Sequence, residues 1–246
     1  MLLGLNVREN VSTSLSVVEK LGRVALDLVF PPRCVACGAA AGAFVCAACD
    51  GALARAEGSR CSRCWRPTRG GGCAQCEAGP PAFDALRASV VYTATARDLV
   101  HALKFRGVTA VAGPMAGRMT ATVHEFALSV DAVVPVPLSG LRRRTRGYNQ
   151  AEALARPLAR ELGVPLLARP LVRRRSTGAQ ARAAGIEERR RNVAGAFEAR
   201  GDELAGRHAL LVDDVTTTRS TLDACAATLK EAGAEAVFAV AFATED

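Results

Sequence analysis

At 246 residues, half of them apolar and only 4% aromatic, the chain can bury a core of Ala, Val and Leu as one large domain or two small ones. The composition excludes a disordered or collagen-like chain, and no run of about 18 apolar residues is present to span a membrane as a helix. The net charge of +8 is concentrated, because residues 139–200 hold fifteen Arg against five Glu, a patch suited to the phosphate of a small ligand or of a nucleic-acid backbone.

In chain order, the first feature is the short apolar stretch at residues 24–30, preceded by Arg8, Glu9, Glu19, Lys20 and Arg23. Mixed charges and a short apolar core make a poor secretory signal. The stretch predicts an amphipathic helix stopped by Pro31 and Pro32, in a lead-in covering residues 1–32, and a cytoplasmic protein.

Eight of the nine cysteines then fall in four CxxC pairs: Cys34/Cys37, Cys46/Cys49, Cys61/Cys64 and Cys73/Cys76. Each cysteine of the second set lies 27 residues after its counterpart, so two units of pattern C-x2-C-x8-C-x2-C follow one another. A CxxC turn presents two thiolates to one metal ion, and two turns complete a closed four-thiolate site. Pairing within each unit is more natural than an interleaved pairing, although spacing leaves both open. Disulfides need an oxidising compartment. Thioredoxin-like chemistry needs one CxxC on a βαβ unit. An iron–sulfur cluster could use the same ligands. Structural zinc, two ions, is the expectation for this ribbon at residues 33–79, whose few large side chains could not build a core alone. Cys225 stands apart on a helical pattern and reads as core.

From residue 85 to 246 the pattern is α/β. Strands are predicted at residues 88–92, 132–136, 209–212 and 236–241, with helices at 98–105, 150–162 and 218–232. Apolar strands alternating with helices argue for a mostly parallel sheet flanked by helices on both faces.

The most informative segment joins the third strand to the last helix: Asp213, Asp214, Val215, Thr216, Thr217, Thr218, Arg219, Ser220 and Thr221. Ligands of open α/β sheets sit off the carboxyl ends of strands. Backbone amides opening a helix favour an anion. Two carboxylates beside such a cradle repel a phosphate unless they hold hydroxyls of the same ligand. A sugar phosphate meets both demands, with ribose on the acids and the 5′-phosphate on the hydroxyl-rich turn. Helix capping is the plainer reading, but capping needs one such residue.

This segment resembles the phosphoribosyl pyrophosphate signature of type I phosphoribosyltransferases. Further blocks narrow the resemblance to the ComF family of competence-associated proteins. Leu103-Lys104-Phe105-Arg106-Gly107 is similar to its LKFRG stretch, and Val134-Pro135-Val136-Pro137-Leu138 followed by Arg146-Gly147-Tyr148-Asn149-Gln150 is similar to its PVPL…RGFNQ block. Thr177, Gln180, Arg191-Asn192 and Gly195-Ala196-Phe197 resemble its mobile loop. The likeness covers roughly residues 26–244 and includes the cysteine-rich double zinc ribbon.

The resemblance implies that Asp213 and Asp214 hold the ribose of phosphoribosyl pyrophosphate, with Thr216, Thr217, Thr218, Ser220 and Thr221 at its 5′-phosphate. Pro137, Leu138, Arg142 and Arg146 would meet the pyrophosphate, which carries Mg²⁺, and Arg146 joins the two acids as a catalytic candidate. Residues 173–191 read as a basic flap closing on the site, and Lys104 as a weaker candidate, being a single lysine at a helix end. The family usually has Gly where Arg219 stands. The expectation here is an Arg in first-turn helical geometry, at negative φ, with its side chain turned away. Two functions are implied: transfer of phosphoribose to an unknown acceptor, or a non-catalytic accessory in DNA uptake that meets a helicase and single-stranded DNA. Against direct DNA binding, the ribbon offers only Trp65 and Phe44 as stacking aromatics.

Overall fold

The computed structural model describes residues 31–70, 73–138, 144–174 and 195–246. The expected helix at 24–30, Arg142, and most of the basic flap with Thr177, Gln180, Arg191 and Asn192 lie outside the described residues. The chain divides into two compact units, one ending at Asp50 and one from Gly51 to Asp246.

The 27-residue cysteine repeat is a repeat of backbone structure. In the first unit Gly38 N donates to Cys34 O at 2.8 Å and Cys34 N to Ala39 O at 2.9 Å. In the second, Trp65 N donates to Cys61 O at 3.0 Å and Cys61 N to Arg66 O at 2.9 Å. The turn after the second cysteine of each knuckle is left-handed, at φ 76° in Gly38 and 60° in Trp65. Glycine takes that conformation freely, whereas a tryptophan must be held there. The Trp65 ring is held by burial, edge-on to Phe126 at 4.9 Å with the Arg87 guanidinium 4.7 Å above it. Short helices α1 (Ala47–Gly51) and α2 (Ala74–Ala78) follow the third cysteine of each repeat.

Next come β1 (Ala85–Val91), α3 (Ala94–Phe105), α4 (Ala112–Glu125), β2 (Ala132–Pro135) and α5 (Gln150–Leu162). A small antiparallel pair, β3 (Leu171–Arg173) with β4 (Phe197–Ala199), precedes β5 (His208–Thr216), α6 (Ser220–Glu231) and β6 (Ala236–Thr244). The main sheet is parallel throughout, in the order β1-β6-β5-β2. Its strands are apolar on both sides. Leu211, Ala239 and Ala241 join Leu222, Cys225, Ala226 and Leu229 of α6 in one core cluster. The alternate positions Leu210, Val212, Val240 and Phe242 are equally buried on the opposite face. There α4 and α5 lie against each other and on the sheet, with Met115, Met119, Leu154 and Leu158 fully buried.

Helix α5 runs over the predicted residues, opened by Asn149, whose side chain accepts from Ala151 N at 3.1 Å, and closed by left-handed Gly163. Helix α4 had no counterpart in the sequence reading. Its segment carries Gly113, Pro114 and Gly117, which argue against a helix locally, but Pro114 lies in the first turn, where its missing N–H costs nothing. β5 is longer than predicted, because its pairing with β6 continues through Asp213↔Ala241, Val215↔Ala243 and Thr216↔Thr244. The two acids therefore belong to the strand rather than to the loop after it. α6 begins two residues later than predicted, which leaves Thr217 and Thr218 in the turn.

Candidate functional site

Asp213 and Asp214 are adjacent on β5, and their side chains stay close enough to act on one another. Asp214 is only 2% exposed. Its Oδ1 accepts from Lys104 Nζ at 2.9 Å and from Val215 N at 2.7 Å, while its Oδ2 is buried with no partner among the described residues. Asp213 Oδ1 accepts from Asp214 N at 2.9 Å. Burial, then the charge of Asp214, raises the Asp213 carboxyl to about 7, against the opposing pull of Lys104. The phenol of Tyr148 is pushed upward by burial and feels both Arg146 and Asp214, which places these three groups within electrostatic reach. The Arg146 guanidinium lies 4.9 Å over the ring of Phe105, a residue 66% exposed.

The turn after β5 is hydroxyl-rich and underused. Thr216 and Ser220 are buried, and neither hydroxyl oxygen has a partner among the described residues. Arg219 occupies the N-cap of α6 at φ 68°, ψ −6°, without a side-chain capping bond. This corrects the expectation of negative φ: the position is left-handed, the conformation a glycine would adopt at no cost. It also removes the capping reading, since neither an acid nor a threonine occupies the cap. The Arg219 side chain is 7% exposed and leaves the turn for the second cysteine group. Nε donates to Cys64 O at 3.2 Å, Nη2 to Thr244 Oγ1 at 3.2 Å, and Nη1 to Thr217 O. Arg66 Nη2 reaches Thr218 O at 3.4 Å. A cavity of about 230 Å³ opens between the same parts, lined by Arg66, Cys76, Phe83, Thr218, Ser220 and Asp223 among others.

Pro137 and Leu138 follow β2, where Val136 N donates to Val212 O at 3.0 Å, so they stand beside the level of the acids. They line a 460 Å³ cleft with Asn149, Arg169, Arg173 and Arg200. Three guanidinium groups there favour an anion.

Each four-cysteine group fits a metal. Cys34, Cys37, Cys46 and Cys49 offer sulfurs within 4.8 Å of one another, as do Cys61, Cys64, Cys73 and Cys76. Four sulfurs about 2.3 Å from one ion would stand about 3.8 Å apart in a tetrahedron. The Cys37–Cys46, Cys64–Cys73 and Cys61–Cys76 separations are 3.7, 3.6 and 3.8 Å. Backbone amides point at the thiolates, Cys46 N at Cys34 Sγ (3.5 Å) and Cys64 N at Cys61 Sγ (3.5 Å). Burial opposes ionisation, yet such amides bring Cys34 down to about 6 and Cys61 to about 7. Cys49, bonded to the Cys37 and Cys46 thiols, is pushed up to about 12, and burial with its neighbours' thiols raises Cys76. Without a cation the cluster keeps protons, and a divalent ion would replace them. Each set matches a structural zinc site, closed to substrate.

Residues 25–78 match the double zinc ribbon domain family. A DNA utilization protein of Salmonella typhimurium, YhgH, is 32% identical over 200 residues, which cover 78% of this chain and 87% of that protein. The chain belongs to the ComF family. Competence protein F of Haemophilus influenzae is 29% identical over 217 residues, 79% of this chain and 94% of the relative. Among solved structures, glutamine phosphoribosylpyrophosphate amidotransferase of Bacillus subtilis aligns at a TM-score of 0.40 and 19% identity, over 58% of this chain and 30% of that one.

Within this ComF protein, Asp213, Asp214, Thr216, Thr217, Thr218, Ser220 and Thr221 lie on one strand end, turn and helix start. Arg146 comes from the helical turn at residues 144–146 that precedes α5 and lies within electrostatic reach of Tyr148. Lys104, at the end of α3, is brought to Asp214 Oδ1 by the fold, a pairing that no local pattern reports. Trp65 is 8% exposed and built into the core, so it offers no stacking face. Among the described residues no helix is long and apolar enough to cross a membrane.

Proposed function

We propose that the chain binds phosphoribosyl pyrophosphate with Mg²⁺ at the carboxyl end of β5 and transfers its phosphoribosyl group to an acceptor, releasing pyrophosphate. The observation that carries this reading is the Asp213/Asp214 pair, one acid with a buried unpartnered oxygen, leading into a turn with unpartnered Thr216 and Ser220 hydroxyls. Ribose hydroxyls are donors and would supply what Asp214 Oδ2 lacks. They would also favour the charged form of Asp213, whose proton is held only by burial and its neighbour. The 5′-phosphate would accept from the amides and hydroxyls of residues 217–221, where the start of α6 adds its dipole. Arg146, with Arg142 and the turn at Pro137 and Leu138, would face the pyrophosphate carrying Mg²⁺.

In the transfer, the bond from C1′ to the pyrophosphate oxygen breaks as the acceptor's electron pair closes on C1′. The electron pair of the broken bond leaves with pyrophosphate. The transition state is oxocarbenium-like, so these residues contribute by orienting the ring and stabilising the leaving group. The names of the relatives support a setting in DNA uptake and use. A non-catalytic accessory that meets a helicase or single-stranded DNA is the second reading, and the exposed Phe105 carrying Arg146 supports it.

Calorimetry decides between them. Phosphoribosyl pyrophosphate should bind only with Mg²⁺, and Asp213→Ala/Asp214→Ala should lose about 1–3 kcal/mol for each charged partner removed. Unchanged affinity refutes the ribose assignment. Binding of single-stranded DNA without binding of this ligand establishes the accessory reading. Pyrophosphate release over a panel of nucleobases then identifies the acceptor class.

A further inference from the structure

We propose that Arg219 is a positioning residue that holds the turn at residues 217–221 in shape by gripping the second cysteine group, so that metal occupancy of Cys61, Cys64, Cys73 and Cys76 sets the order of that turn. That the turn receives a phosphate rests on the reading above. That Arg219 couples it to the metal group does not.

The argument starts from a residue in the wrong backbone conformation. A left-handed φ of 68° is what a β-carbon disfavours, so something outside the turn must hold Arg219 there. Its side chain is buried, and its guanidinium spans three segments: Thr217 O at the start of the turn, Thr244 Oγ1 at the end of β6, and Cys64 O in the knuckle. These partners are two carbonyls and a hydroxyl, a directional fork that fixes position as a point charge could not. Arg66, two residues beyond Cys64, makes a second tie to Thr218 O.

The anchor, in turn, depends on the knuckle. Cys64 O leaves the turn formed by the Trp65 N to Cys61 O and Cys64 N to Cys61 Sγ bonds. That turn brings Cys61 and Cys64 within 3.8 and 3.6 Å of Cys76 and Cys73. A divalent ion draws four thiolates together, and without one the protonated thiols have no common ligand to hold them. An opened knuckle moves Cys64 O, and Arg219 then loses the bond that offsets its strained backbone. A rival anchor exists in the docking of the knuckle on β1, through Leu86 N to Arg63 O (2.8 Å) and Arg87 Nη1 to Ser62 O. If that docking alone holds the knuckle, metal loss leaves the turn unchanged.

Hydrogen exchange read by mass spectrometry on the ligand-free full chain separates the two. Cys73→Ser/Cys76→Ser, verified by metal content, should speed exchange in peptides covering residues 217–221 at least about tenfold, and less than about threefold in an Arg219→Gly background, where glycine adopts positive φ without strain and no side chain ties the turn to the knuckle. No change in the wild-type background, or equal changes in both, overturns the proposal. A second arm keeps the metal and compares Arg219→Ala with Arg219→Gly. Alanine should raise exchange at least about tenfold, with glycine within about threefold of wild type. Equal protection of the two variants overturns it as well. Affinity for Mg²⁺-phosphoribosyl pyrophosphate, measured by calorimetry on the same proteins, should fall in step with protection. Coupled exchange in a chain that binds no such ligand leaves the proposal standing and refutes the ligand reading alone.

Discussion

At Asp213 the tertiary structure changes the chemistry of a side chain in the candidate site. Its carboxyl is raised to about 7, first by burial and then by Asp214, from an unfolded value near 3.9. Between these values the folded chain keeps a proton that the unfolded chain releases. Stability should therefore fall as pH rises from about 4 to about 7 and level off above. Asp213→Asn should flatten this slope and melt about 2–4 °C above wild type at pH 8, the shift expected for roughly 1 kcal/mol at this chain length. Thermal melts at closely spaced pH values check it, and a variant with the wild-type slope would show that other groups carry the dependence. Lys104, 2.9 Å from Asp214 Oδ1, keeps the shift from being larger.

Among the elements, the two cysteine knuckles show one backbone solved by different residues. Gly38 meets the left-handed turn by having no β-carbon, and Trp65 meets it by burying a ring against Phe126 and under Arg87. Trp65→Gly would remove a strain of roughly 1–2 kcal/mol. It would also remove packing worth about 3–5 kcal/mol for a buried aromatic truncation. Packing wins, so the variant should be less stable by about 1–4 kcal/mol in urea titration while keeping its metal. A stabilised variant would mean that the ring contributes little to docking the knuckle on β1.

For the whole molecule, the cysteine groups and the sheet solve different problems. The described part of the unit ending at Asp50 buries only Cys34 and Val45 among its apolar residues, too little for a hydrophobic core. Metal binding must stand in for packing there. Elemental analysis should find about two zinc ions per chain, one for each group of four sulfurs within 4.8 Å. Cys37→Ser should lose one ion, and Cys225→Ser, buried in the sheet core and a member of neither four-sulfur group, should lose none. One ion or fewer in the wild-type protein contradicts two independent sites.

Periodicity and spacing alone determined the parallel sheet, helix α5, the cysteine repeat and the clustering of acids and hydroxyls beside α6, because these depend on local pattern, whereas the fold decided that each group of four sulfurs forms within one repeat. The 27-residue offset is a property of the chain, and so is an apolar run that ends in two acids. Helix α4 was not legible, since Gly113, Pro114 and Gly117 weaken its local preference and burial of Met115 and Met119 against the sheet restores it. The partnership of Lys104 with Asp214 spans 110 positions and that of Arg219 with Cys64 spans 155, distances over which no motif reports. Tertiary packing also decided the sign of φ at Arg219. Local preference favours negative φ for an arginine, but bonds from the knuckle, the turn and β6 outweigh a cost of roughly 1–2 kcal/mol.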